Sequence, residues 1–343
     1  MLAESRENLI ESCRRMLLIR HFEERLIALH EQGHFGGHYH VYIGQEATGV
    51  AALSCLEPHD SLFATHRNHG YLLARGADPG RLYAEILGRR DGYNKGKGGT
   101  FHIAAAGLGF HHTTGIVGGN IPLAAGAAYA AKARKTGQLA VCLFGDGSLE
   151  EGAAPETFNL ASLWKLPVLF LCENNGKYGA HRAVGAAQSN TMAAYPLTEL
   201  PRLYGIPAAQ VDGMDVAAVH AAVSDAVARI RRGEGPQFIE TQTVRWPGSE
   251  SNWPVVPVAT SVDLAWDVSS VPENKRDWYR ASDPVLIFVR DLVDSKTATR
   301  AALALLEKTV IADIDHAVSF ALASPFPEPE EALHDVFARE DCA

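Results

Sequence analysis

Two polar turns, each closing a hydrophobic run, constrain this chain more than any other feature. The runs are LAVCLF (139–144) and LPVLFLCE (166–173); the turns are Gly145-Asp146-Gly147 and Asn174-Asn175. Runs of this length and branching suit strands buried on both faces. Between them, EGAAPETFNLASLWK (151–165) reads as a helix. Strand, turn, helix and strand form a crossover unit of a parallel sheet. Such a unit brings Asp146 and Asn175 to the carboxyl ends of two strands, where open α/β sheets bind ligands. A carboxylate and an amide oxygen can share one hard cation there, and Mg²⁺ is usually completed by substrate phosphates. The unit therefore reads as a seat for a magnesium diphosphate.

The rest of the chain is read around that unit. An amphipathic helix runs through the first 33 residues, followed by a Gly/His-rich loop (33–44) and a helix from Gln45 to Leu56. SLFAT (61–65) reads as a strand, and Asp78-Pro79 as a helix start with a capping acid and a first-turn proline. Residues 94–119 read as glycine-rich loop, and Pro122 opens an Ala-rich helix that ends before Gly137. Its small residues permit close approach of the sheet layer or of another chain. Beyond a polar loop (176–195), a helix closes at Gly233, PQFIETQTV (236–244) forms a strand, 245–282 is irregular, and a long helix covers 295–323. One domain is expected over 1–343: an N-terminal helix (1–33), a cofactor-binding core (34–245), then a divergent loop with C-terminal helices (246–343).

Net charge is −9 with both signs interspersed, and no basic run suggests nucleic acid or an anionic membrane as partner. No apolar run approaches the roughly 20 residues of a bilayer span. The first 33 residues carry acids from position 4 and lack the apolar core of a signal peptide. The five cysteines show no metal-ligand spacing, and Cys142 and Cys172 fall inside hydrophobic strands. A cytoplasmic location is the expectation.

GDG alone is common in turns. GDG followed by EG, N-x-A-x-L-W and ENN at this spacing resembles the thiamine-diphosphate motif of the α subunits of 2-oxo acid dehydrogenase first components, the pyruvate, branched-chain and acetoin dehydrogenase group. RMLLIRHFEERL, HVYIGQEATGVAALSCLEPHD, THRNHGYLLARG, GKGGTFH, TGIVGGNIPLAAGAA and YGIPAAQVDGMD are similar to family blocks in the same order, over most of 12–245. The resemblance implies an α/β thiamine-diphosphate-binding fold with a mainly parallel central sheet flanked by helices.

It also implies roles for individual residues. Asp146 and Asn175 would be side-chain ligands of Mg²⁺. A backbone carbonyl would complete the site, from Lys177, or from Tyr178 if the loop bulges. His66 and Arg67 would meet the diphosphate, as would the backbone of Gly147 and Ser148 at the expected helix start, and Gly145 and Arg245 would also bind the cofactor. Gly115 and Val117 match positions touching the cofactor's pyrimidine, with Val117 supporting the bent cofactor unless it is plain core. His40 and His102 match loop positions near the substrate. His34 and His38 lie close to His40, so a metal cluster is a competing reading there. His111 and His112 receive no role.

Two departures stand out. Family members carry histidines in the loop after the last strand, which aid acyl transfer to a lipoyl group; here VRWPGSESNWP places Pro247 and Ser249 at those positions. Either the loop has shifted and another histidine such as His40, or a residue of a β chain, serves, or the acceptor is not lipoyl and the chain belongs to a specialised carboligase or acyl-transfer enzyme. Moreover, the glutamate that activates thiamine lies on a separate β subunit in two-chain members, and 343 residues are too few for both halves. The expected assembly is two α and two β chains acting on a 2-oxo acid, with a lipoyl acyltransferase as a further partner. An inactive regulatory subunit is the reading from outside the enzymes, and the intact Asp146, Asn175, Arg67 and Val117 argue against it.

Overall fold

The computed structural model describes residues 5–175, 196–249 and 253–334. The chain opens with α1 (Arg6–Glu31), capped by Ser5 accepting from the Asn8 amide. Next come α2 (Glu46–Ser54), β1 (Ser61–Ala64), α3 (Asn68–Ala74) and α4 (Pro79–Ile86). Asp78 caps α4 through the Arg81 amide, with Pro79 in the first turn. Then follow β2 (Phe110–Thr113), α5 (Asn120–Arg134), β3 (Ala140–Gly145), α6 (Ala153–Leu163) and β4 (Val168–Asn174). The remainder comprises α7 (Glu199–Arg202), β5 (Ala208–Asp212), α8 (Val216–Arg231), β6 (Gln237–Gln242), α9 (Arg276–Ala281), α10 (Pro284–Asp294) and α11 (Arg300–Ala323).

The strands form one sheet in the order β2-β1-β3-β4-β6-β5, and each described pairing is parallel. The order reverses at β1, which has β2 on one side and β3 on the other. Loops leaving β1 and β3 therefore part in opposite directions and open a crevice at their carboxyl ends.

Strand alternation sorts the core into two layers. Val141, Leu143, Leu169, Leu171 and Ile239 pack on one face with α1, α2, α8 and α11, while Cys142, Phe144, Phe170, Cys172 and Phe238 face α5 and α6. This two-sided burial is why β3 and β4 read as unbroken apolar runs. The terminal helices belong to the larger layer: Leu17 and Phe22 of α1 and Val310 and Ile314 of α11 join it. Fully buried Arg20 ties α1 to α2 and to the start of α10, donating to Glu46 at 2.7 Å and bidentately to Asp283, the cap of α10, at 2.7 and 3.0 Å.

The structure corrects several local expectations. The glycine-rich stretch 94–119 contains edge strand β2, and the segment before α8 contains edge strand β5. Both are short and half-exposed, so neither carries the apolar run that marks a central strand. GDG does not lead directly into a helix: a 3₁₀ turn, Asp146–Glu150, precedes α6. The irregular stretch ends in α9, and α10 precedes a long helix that starts only at Arg300.

Candidate active site

Five strand ends converge on one cavity of about 200 Å³. His66 and Arg67 follow β1, Ile116 and Val117 follow β2, and Asp146, Gly147 and Ser148 follow β3. Glu173 and Asn175 stand at the end of β4, and Arg245 follows β6. A larger groove of about 620 Å³, lined by Asn8, Arg15, Arg75 and His220 among others, sits by the segments that enter β1 and β2, remote from these residues.

The geometry suits an anion with a hard cation. Gly147 borders open space, with nothing within 4 Å of where a Cβ would stand. The Ser148 hydroxyl accepts from the Gly118 amide at 3.3 Å, joining the loop after β2 to the turn after β3. Asn175 turns its amide oxygen toward a cationic group, accepting from Arg245 Nε at 3.1 Å. Arg67 donates to the Val41 carbonyl at 2.7 Å. Loss of water around its guanidinium, with Arg245 nearby, pulls its pKa down to about 10. It is still charged at neutral pH, and the crevice concentrates positive charge on whatever enters. Carboxylate and amide oxygens beside two guanidinium groups form a donor set for a magnesium-bound diphosphate, so the residues present fit that group.

Around the mouth, the rings of His40 and His66 lie 4.5 Å apart, and Phe101 stacks on His40 with centroids 5.8 Å apart. Burial first, then the Arg67 charge, pushes His66 down to about 3 and His40 down to about 4. Val117 is 46% exposed and Ile116 71% exposed, so Val117 belongs to the mouth and not to the core. Gly115 is exposed beside them, 3.6 Å from the Phe101 ring at its would-be Cβ. His102 is exposed and does not line the cavity; Phe101 takes the place beside the two histidines. Lys177 and Tyr178 lie outside the described residues.

Among the described residues, the histidine-rich loop included, no group of three or more His, Cys, Asp or Glu is placed to hold a metal. His38 instead stacks on Trp253 with centroids 4.8 Å apart, and His34 is exposed. In the divergent loop, Pro247–Ser249 forms a 3₁₀ turn. Gly248 packs so tightly that a Cβ would lie 2.1 Å from the Val255 carbonyl and 2.5 Å from the Trp246 ring. That turn is a fixed piece of packing built without histidine.

Sequence reasoning missed Glu173. Its buried carboxylate accepts from the Tyr42 and Tyr71 hydroxyls and from Gln45 Nε2 at 2.9 Å. Burial pushes its carboxyl up to about 7 against the pull of the two phenols. The available signal was its spacing: residues i and i+2 of a strand share a face, so the Glu of ENN points with Asn175.

Fold and site together define a doubly wound parallel α/β protein whose switch-point cavity is lined by residues that fit an anion and a hard cation. The model of the dehydrogenase E1 component family matches residues 14–330. The pyruvate dehydrogenase E1 component subunit alpha of Zymomonas mobilis is 38% identical over 96% of this chain and 89% of that one. The acetoin:2,6-dichlorophenolindophenol oxidoreductase subunits alpha of Cupriavidus necator and Bacillus subtilis are each 36% identical, over 97% and 94% of this chain and 95% and 91% of theirs. The chain belongs to the dehydrogenase E1 component family, as its GDG-to-ENN pattern implied.

Proposed function

We infer that this chain is the α subunit of a thiamine-diphosphate- and Mg²⁺-dependent enzyme that decarboxylates a 2-oxo acid and hands the acyl group to an acceptor. The observation that carries this reading is the convergence of Asp146, Asn175, Arg67 and Arg245 on one cavity at the strand ends of an E1-family chain. When bound, the cofactor supplies a carbon nucleophile and an electron sink for decarboxylation. Asp146 and Asn175 would hold the metal. His66, Arg67, Arg245 and the backbone at Gly145, Gly147 and Ser148 would hold the diphosphate. Gly115 and Val117 would support the pyrimidine at the exposed mouth. His40, neutral at pH 7 because burial depresses its pKa, offers the substrate side one N–H donor and one lone pair. His102 stands further out as a candidate substrate contact.

A separate β subunit would cover the mouth and bring the activating glutamate, in an assembly of two α and two β chains. The buried free thiols of Cys13, Cys142 and Cys172 accord with a reducing cytoplasm. A lipoyl group on an acyltransferase is the acceptor for a dehydrogenase. The packed Pro247–Ser249 turn supports a second reading, a carboligase whose acceptor is not lipoyl.

The test is calorimetric titration of the assembled αβ complex with thiamine diphosphate and Mg²⁺. Asp146→Ala should lose metal-dependent binding with its fold intact; wild-type affinity in that variant would overturn the site.

A further inference from the structure

Glu173 lines the cavity, yet neither the diphosphate nor the metal needs it. A carboxylate buried this deeply is costly unless donors surround it. Here three converge from two elements: Tyr42 and Gln45 from the segment before α2, and Tyr71 from α3. The route of Tyr42 is built into its neighbours. A Cβ at Gly70 of α3 would lie 1.9 Å from the Tyr42 ring, and one at Gly49 of α2 would lie 2.8 Å from its hydroxyl. Both helices therefore leave out side chains where the phenol passes to Glu173. On β3, the register partner of Glu173 is Gly145, so no side chain stands beside it there either.

What the two tyrosines share is Arg67. Val41, whose carbonyl holds the Arg67 guanidinium at 2.7 Å, is the neighbour of Tyr42. Arg67 itself caps α3, four residues (about one turn) before Tyr71. Fixing Tyr42 fixes the carbonyl that holds Arg67; fixing Tyr71 fixes the helix that carries it. We propose that Glu173 is a positioning residue for Arg67: through Tyr42 and Tyr71 it holds the guanidinium aimed into the cavity, where it meets the cofactor's diphosphate. This rests on the diphosphate reading of the cavity.

Glu173→Gln keeps the shape but puts an NH₂ group where only donors converge, so one of the three loses its acceptor. In the assembled complex, the Kd for thiamine diphosphate with Mg²⁺ should rise about ten-fold or more, with secondary structure retained. In an Arg67→Met background the same change should cost little further, because the residue it positions is gone. General loosening of the fold would add its cost in both backgrounds. An unchanged Kd in folded Glu173→Gln, or an equal loss in both backgrounds, overturns the proposal. If Glu173→Gln does not fold, Tyr71→Phe carries the test by the same two criteria. Asp146→Ala serves as the control. If that variant also keeps wild-type affinity, the cavity reading fails; if it loses binding while Glu173→Gln does not, only the role of Glu173 fails.

Discussion

Arg67 should trade stability for binding, and replacing it should expose both sides of that trade. Its pKa falls from the ordinary 12.5 to about 10, chiefly because water is removed around the guanidinium. At about 1.4 kcal/mol per unit, holding the charge there costs up to about 3.5 kcal/mol, of which solvent at the open mouth relieves part; about 1–2 kcal/mol is a fair remainder. Arg67→Met removes that cost but leaves the Val41 carbonyl without its donor, a loss of about 1 kcal/mol. The cofactor-free complex should therefore be as stable as wild type or about 1 kcal/mol more stable, where an average substitution destabilises by about that much. Cofactor binding should move the other way. Losing a charge-assisted hydrogen bond of about 1.5–3 kcal/mol weakens affinity roughly 10- to 150-fold. Thermal unfolding of the cofactor-free complex at fixed protein concentration, paired with calorimetric titration, reads both quantities. A variant that loses more than about 2 kcal/mol of stability while keeping its cofactor affinity would refute the reasoning, because Arg67 would then be a structural residue.

The purified chain alone should show no decarboxylase activity, since the activating glutamate is expected from a β subunit; turnover of a 2-oxo acid without a β chain would contradict this. Decarboxylation followed with an artificial electron acceptor should be readily seen in the complex, while acylation of a lipoyl domain should be slower by roughly 10²–10⁴-fold, the usual cost of a missing general acid. Equal rates would mean that Ser249 is no functional loss. Stability should also depend on pH through His40 and His66, which face each other and the Arg67 and Arg245 charges. Both are depressed below the unfolded value near 6.5, so the unfolded chain binds more protons between about 4 and 6.5, and their contribution is present above 6.5 and lost as pH falls. Each adds a slope of at most about 1.4 kcal/mol per pH unit; cofactor-free His66→Asn should show a shallower slope than wild type over that range, and equal slopes would count against the burial of His66.

The sequence by itself determined the architecture around the site. Burial on both faces leaves β3 and β4 no choice but continuous apolar residues, and a strand that must end at a ligand needs the polar turn that follows it, so Asp146 and Asn175 were legible from spacing alone. The family pattern extended this to Arg67, Val117 and Arg245, which the structure brings to the same cavity. The edge strands β2 and β5 were not legible, because an edge strand with an exposed face carries no unbroken apolar signal. Only the tertiary structure could decide that His102 stands outside the cavity while Phe101 packs on His40, since adjacent loop residues point in directions set by their packing partners. Only it could show why Glu173 is buried. Its three donors lie 102 to 131 residues away along the chain, and nothing local to ENN says that two tyrosines and a glutamine will meet it. Local pattern reports what a residue needs from its own strand or helix; which distant side chain answers that need is settled when the layers close.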